Sequence, residues 1–539
     1  MNRPPSIRPP GGAPRPPQAS SAQFDELQRR MREMYGEFGA RPNDGQAKVV
    51  EVVVEPWHKP TLKLIAPIGL GATAVTLALG TDSQIINAVI LLACSIALFR
   101  YLSKTPVHIA ARTLLALSLF IESAAETPTW WLAPMRSVDM AFYASLKDYA
   151  GVPGMSLPLF FFASVYFLFR ARAQARKNKV LPPKWAVVLP LVVLGSVFAL
   201  EAFGLARGGQ LTASFFQILH LMTMPIVALG YLYAIRGPDD LSALGSVIIT
   251  VAGARAVLVT LVYSFAAFKF RTEPGFFVTT HSDSTLFVVA LSILGTWCME
   301  HRKRKTIAKA AGMALLILVG MALNNRRLAF VNAGVIPVFI YFALKPSKIK
   351  RRVNRAAILL GLLGVVYLII AAKMESDSVV FKPARLILSA ISQSDTSSES
   401  RDVENFNLIY TLRQSPIVGQ GFGHGYIEKY HLYDISDLFK LYLFIPHNGV
   451  LWIWEVGGVV GFTLLWFIYP VTMTFALRAY RIGRNAVERS AGLAAAATVV
   501  ACVAQIWGDQ GFNSYMTLVI FGVAYAVAVR VETASVQGT

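Results

Sequence analysis

Arginine and histidine side chains set between apolar runs are the residues of this sequence best suited to chemistry. Arg401 lies in a long polar interval, residues 374–446, and His447 and Asn448 close that interval directly after Pro446. A guanidinium is permanently charged and grips phosphate oxygens through two parallel N–H donors, so Arg401 and the adjacent Arg326 and Arg327 suit a phosphate-bearing ligand. An imidazole with a pKa of about 6.5 is the usual general base at neutral pH. Each residue also has a plainer explanation. Arg326 and Arg327 follow Asn324 and Asn325 where two apolar runs meet, a place where an arginine pair can simply anchor at an interface; His447 can be a structural group. Glu455 lies about two helical turns beyond His447, and Arg255 is the deepest cation of an apolar run. Ionisable groups inside a membrane are functional candidates or need an ion partner. Glu122, Glu126 and Glu201 are the candidate partners of Arg255, whereas Gln217 and His220 read as packing groups.

Within the polar interval, Thr396-Ser-Ser-Glu399 has the form of a capping box and predicts a helix from about Glu399 to Arg413, with Arg401 in its first turn. Exposed amides there favour an anion. Ser415-Pro416 ends that helix, and the glycines of Gly419-Gln-Gly-Phe-Gly-His-Gly425 make tight turns. Such turns can cradle phosphate, although most glycine-rich turns hold no ligand.

The elements that must position these residues are helices in a membrane. Of 539 residues, 55% are hydrophobic and 15% charged, well below the roughly 25% charge of soluble domains. Runs of about 20 apolar residues recur, each long enough to cross a bilayer, and they lack the alternation of barrel strands. The fold class is therefore an all-α polytopic membrane protein. About fourteen spans are expected: 62–80, 84–102, 107–125, 155–170, 185–204, 211–235, 241–268, 284–299, 306–323, 328–344, 356–373, 447–473, 490–507 and 515–531. Basic clusters follow even-numbered spans, as at Arg172–Lys184, Arg302–Lys305 and Lys345–Arg355. The positive-inside rule then puts both termini in the cytoplasm and the large loop 374–446 outside. Trp130, Trp131, Trp452 and Trp507 fall near the expected outer span ends, as interfacial tryptophans do.

Residues 1–60 form a Pro-rich tail, with a possible short amphipathic helix from Phe24 to Phe38, and residues 61–535 form the membrane domain. No cleavable signal sequence is expected, because the first residues lack an apolar core. The net charge of +20 sits in short clusters between spans, which argues against a nucleic-acid partner. Cys94, Cys298 and Cys502 lack metal-ligand spacing, and no metal or cofactor is expected.

Taken in order, Asn325-Arg326-Arg327-Leu-Ala329, Arg401, Ser415-Pro-Ile-Val-Gly419-Gln-Gly421-Phe-Gly423, His447-Asn448-Gly449 and Glu455-Val-Gly457-Gly-Val-Val-Gly461 resemble the bacterial O-antigen ligase and polysaccharide polymerase superfamily. The resemblance covers about 306–473 and implies a glycosyltransferase C-type architecture in the bacterial inner membrane. It further implies transfer of glycan from an undecaprenyl diphosphate carrier to a hydroxyl acceptor, a glycan or a lipid, without a nucleotide sugar. Arg401 and His447 would be catalytic, with Arg326, Arg327, Arg255, Asn448 and Glu455 as substrate-binding residues. Two adjacent arginines stand where many members have Ser-Arg, so either Arg326 or Arg327 can be the functional one. A single displacement would invert the anomeric centre. Envelope polysaccharide export proteins are possible partners. The alternative class is a lipid-linked glycan flippase or other transporter, which would not need a large external loop ending in a histidine.

Overall fold

The computed structural model describes residues 59–79, 84–122, 135–143, 157–270, 279–301, 303–324, 326–346, 348–373, 381, 384, 396–431 and 441–537. All of these belong to one of the chain's two units, residues 54–539. The tail with its expected helix from Phe24 to Phe38, together with Glu126, Trp130, Trp131, Asn325, Arg385 and much of the loop 374–446, lies outside the described residues.

The described residues form helices and no strand. In chain order these are α1 (Lys59–Leu79), α2 (Gln84–Lys104), α3 (Val107–Phe120), α4 (Arg136–Tyr143), α5 (Leu159–Lys177), α6 (Lys184–Ala206), α7 (Leu211–Ala234), α8 (Pro238–Phe270) and α9 (Ser282–Glu300). There follow α10 (Arg304–Leu323), α11 (Arg327–Ala343), α12 (Lys348–Lys373), α13 (Thr396–Gln414), α14 (Gly449–Trp466), α15 (Ile468–Ile482), α16 (Ala486–Gly508) and α17 (Tyr515–Gln537). Among the described residues, eight helical stretches are long and apolar enough to cross a membrane: α6, α7, Pro238–Lys269 of α8, α9, α10, the continuous stretch Gly449–Ile482, α16 and Tyr515–Ala534 of α17. The chain is a multi-pass membrane protein.

That number is smaller than the fourteen spans read from hydropathy. The helix expected over 107–125 ends at Phe120 after 14 residues, and α11 has 17 residues. The span expected over 356–373 lies within α12, whose first turns carry Lys348, Lys350, Arg351, Arg352 and Arg355. The other expected spans outside the eight, 62–80, 84–102 and 155–170, are helical as well, in α1, α2 and α5.

Helices α7 and α17 form the centre of the bundle and pack along each other, with α5, α6, α15 and α16 against them. Nearly all of α7 is buried, as expected for a helix apolar on every side. Close approach depends on small residues: a Cβ at Gly522 of α17 would lie 3.1 Å from the Ala228 nitrogen of α7. By contrast α6 and α10 keep most of their surface outside the bundle, as helices facing lipid do.

The two ends of the bundle differ in chemistry. At one end Arg489 Nη2 meets Glu300 Oε2 at 2.6 Å, Arg112 Nη2 meets Asp240 Oδ1 at 3.1 Å and Lys345 Nζ donates to the Arg481 carbonyl at 2.7 Å. This basic end gathers the connections after α2, α5, α7, α9, α11 and α15. The opposite end gathers the start of α9, the start of α11, the loop helix α13, the start of α14 and the turn from α16 to α17.

Candidate functional site at the non-basic end

The glycine-rich segment serves close packing. The Gly419 amide donates to Ser415 O, Gln420 to Glu455 O, Gly421 to Val456 O, Phe422 to Leu200 O and Gly423 to Gln217 Oε1, at 2.7–3.3 Å. Every amide of 419–423 is thus taken by a protein acceptor, and a phosphate cradle there would have to break these bonds. The glycines are required by proximity: a Cβ on Gly419 would fall 2.1 Å from Val456 O, and Gly419, Gly421 and Gly423 all have positive φ. Gly458 breaks α14 at φ +56°, and Val459 and Val460 donate to Pro416 O and Ile417 O across the break. Gln217 also donates to Phe444 O at 2.8 Å, so it is the packing group expected. The loop and the kinked helix therefore form one backbone-to-backbone unit, which fixes where α14 begins.

At that beginning Asn448 caps α14, its Oδ1 accepting from Leu451 N at 3.1 Å while its Nδ2 donates to Asn405 Oδ1 at 3.0 Å. Asn448 is buried, and its side chain is committed to holding the helix start against α13. His447 directly precedes the cap residue, with 38% of its side chain exposed. Its Nδ1 lies 3.2 Å from both oxygens of Glu404, and Glu404 Oε2 also accepts from the His447 amide at 3.0 Å. With Nδ1 turned to the carboxylate, Nε2 is the ring nitrogen left to act on a ligand. Burial works against a charge on His447, but the hydrogen bond and negative charge of Glu404 outweigh it and raise the pKa above the ordinary histidine value.

Helix α13 runs Thr396–Gln414, three residues earlier than expected, so Arg401 sits in the second turn and not the first. Its anion-binding capacity rests on its own guanidinium, with less help from free amides. Arg401, 43% exposed, lies 3.8 Å from Asp509 Oδ1 at the end of α16. The other Asp509 oxygen is held by His281 Nδ1, with Gln505 Nε2 at 3.4 Å. Burial alone would raise the Asp509 pKa; His281, Arg326 and Arg401 together hold it below the usual carboxylate range. Arg326, buried at the junction of α10 and α11, is thus drawn into the same cluster, while Arg327 begins α11 and is half-buried. Gln510, left-handed at φ +52°, donates its amide to His447 O at 2.8 Å and its side chain to Ile445 O at 3.3 Å. A non-glycine residue in this conformation costs roughly 1 kcal/mol, and these bonds hold it there. Through Gln510 the Asp509 turn and the His447 turn are one structure.

Arg255 is a different case. Its side chain is 1% exposed, and its partner is Asp283, which takes Nε at 2.7 Å and Nη2 at 2.6 Å. Phe120 O, Glu122 O and Thr280 Oγ1 take the remaining donors. All five N–H groups are thus engaged by protein, which corrects the expected glutamate partner: Glu122 contributes its carbonyl and nearby charge, while Glu201 bonds to Ser214 at 2.6 Å. Removing one member of such a buried pair costs about 3–5 kcal/mol, so Arg255 is accounted for as a brace between α3, α8 and α9. Glu455 is buried in α14 and its Oε1 has no hydrogen-bond partner among the described residues. Trp452 is buried as well, between Phe422 and Phe512, and so is not the interfacial anchor expected; Trp507 remains exposed.

The cluster therefore brings together Arg326, Arg401, His447 and Asn448 from the expected set, and leaves Arg255 and Glu455 embedded in the bundle. It adds Glu404, Asp509, His281 and Gln505, which sequence reasoning missed. Glu404 had a local signal, three residues after Arg401 on one helical face. Asp509 and His281 had only their places at the ends of apolar runs.

The described residues thus form a membrane-type helical bundle with a histidine–carboxylate pair and two arginines gathered at one end. Residues 312–466 match the O-antigen ligase family model, which supports a place for this segment in the O-antigen ligase superfamily. The match includes Arg326, Arg327, Arg401, Glu404, His447, Asn448, Glu455 and the glycine-rich loop; Arg255, His281 and Asp509 lie outside it. No curated protein matches the chain.

Proposed function

We propose that the protein transfers or polymerises surface polysaccharide, O-antigen or exopolysaccharide, from an undecaprenyl diphosphate-linked glycan to a hydroxyl acceptor. The reaction takes place at the outer face of the bacterial cytoplasmic membrane, on a glycosyltransferase C-type scaffold with both termini cytoplasmic. One observation carries the reading: the O-antigen ligase segment holds Arg326, Arg401 and the His447–Glu404 pair, and these converge at the end of the bundle opposite the basic connections.

The chemistry follows from these groups. Glu404 fixes the His447 ring through Nδ1, and Nε2 takes the proton of the acceptor hydroxyl. The oxygen attacks the anomeric carbon, the bond from that carbon to the phosphate oxygen breaks, and the anomeric centre inverts. Charge develops on the departing lipid diphosphate, where Arg401 and Arg326 stabilise it more in the transition state than in the ground state. Asn448 holds the turn that carries His447, and Glu455 lies deeper along the same helix.

The test is to purify the protein and supply lipid-linked repeat units with and without a lipid A acceptor, then measure glycan length and acceptor modification. Longer lipid-linked chains indicate polymerisation and modified acceptor indicates ligation. Movement of lipid-linked glycan across reconstituted vesicles with no new glycosidic bond overturns the enzyme reading in favour of a transporter.

A further inference from the structure

Asp509 is an anion placed where an anion-binding site would be expected to exclude one. Its Oδ1 faces Arg401 at 3.8 Å, Arg326 acts on it electrostatically, and its Oδ2 is taken by His281 Nδ1. A diphosphate arriving between Arg401 and Arg326 must meet this carboxylate, which is only 9% exposed and cannot move into bulk solvent. One oxygen of the carboxylate thus faces His281 and the other faces Arg401. His281 has 39% of its side chain exposed and stands at the first turn of α9, two residues from the Asp283 that braces Arg255, so its backbone is fixed while its ring borders solvent.

We propose that Asp509 competes as a stand-in with the lipid diphosphate for the field of Arg401 and Arg326, and that His281 is the positioning residue that draws it aside when the diphosphate binds. The inference rests on the donor-binding role given above to Arg326 and Arg401. The benefit is in release. After transfer the arginines hold a lipid diphosphate product bearing more charge than the donor did, and an ionised carboxylate beside them lowers the barrier to its departure. A site with the arginines alone would bind product more tightly than substrate and turn over slowly. A merely structural Asp509, one that orients the arginines, makes the opposite prediction for ligand affinity, and the two roles separate by sign.

Binding of undecaprenyl diphosphate and of inorganic pyrophosphate is measured on the detergent-solubilised full chain at low ionic strength, with thermal unfolding recorded alongside. Asp509→Asn removes the competing charge and keeps the volume, and it should bind undecaprenyl diphosphate on the order of tenfold more tightly, with kcat and KM both falling. His281→Gln leaves Asp509 to the arginines and should bind it several-fold more weakly. Because His281 is partly exposed, this variant is expected to fold even where Asp509→Asn does not, and its sign decides the matter alone. Weaker or unchanged binding in Asp509→Asn, or tighter binding in His281→Gln, overturns the stand-in role. Should the wild type bind neither probe, and Arg401→Lys behave identically, the donor-binding reading fails and this inference fails with it. Wild-type binding that Arg401→Lys weakens, with the wrong sign in the two other variants, removes the stand-in role only.

Discussion

The basic end and the opposite end of the bundle use the same side chains for different purposes. At the basic end the cations meet acids and helix-end carbonyls: Arg489 with Glu300, Arg112 with Asp240, Lys345 with Arg481 O, Arg530 with Leu232 O and Val180 O. Such pairs close neighbouring helix ends. At the opposite end the charges are shared. Asp509 serves His281, Arg401 and Arg326, and Glu404 holds His447 by side chain and by backbone at once. Charge alone does not mark a site here, since the basic clusters are the larger; the mark is a cation without an exclusive counterion, set beside a histidine whose second nitrogen remains for a ligand.

The largest expected effect is in labelling from outside the cell. In a chain whose Cys94, Cys298 and Cys502 are replaced by alanine, a membrane-impermeant maleimide on intact cells should modify Tyr430→Cys, on the exposed surface of the site end. It should spare Arg481→Cys until the cells are lysed. The reverse pattern inverts the orientation and removes the outer-face chemistry.

His447→Gln carries the next largest effect. Glutamine retains hydrogen bonding but cannot accept the proton, so product formation should fall by about 10²–10⁴ while the melting temperature and donor binding hold. Activity like that of the wild type rules His447 out as the base.

Glu404→Gln sharpens the account of the pair. The base must be neutral, and Glu404 raises the folded-state pKa of His447, so kcat/KM should rise with pH through a midpoint above about 6.5. Removing the carboxylate charge should move that limb to lower pH. The stability linkage has the matching sign: the pair's contribution is complete below the ordinary histidine value and is lost as pH rises through the raised one. An unmoved limb separates Glu404 from the titrating group.

The smallest effect belongs to the basic end. Arg489→Gln, which breaks a partly exposed pair with Glu300, should cost about 1 kcal/mol of stability and leave turnover per folded molecule unchanged. A fall in turnover comparable to that of His447→Gln would dissolve the distinction between the two ends.

Hydrophobic runs and the spacing of basic clusters carried the fold class, because burial in lipid demands self-satisfied helices and leaves its mark on every span. Arg326, Arg401, His447 and Asn448 were legible for the same reason, being polar residues at positions where apolar ones would be neutral. The glycine-rich run was legible as tight turns, but its amides proved to be spent on α6, α7 and α14, which no local pattern encodes. Arg255 required an ion partner on physical grounds; that the partner is Asp283, with no donor left for substrate, depended on the packing of α8 against α9. Asp509 and His281 are 228 residues apart, and each alone is an ordinary polar residue at a helix end. Sequence fixes which groups can ionise and how deep they lie. Only the tertiary structure decides which charges share a site, because a shared electrostatic field depends on distances of a few ångströms between helices far apart in the chain.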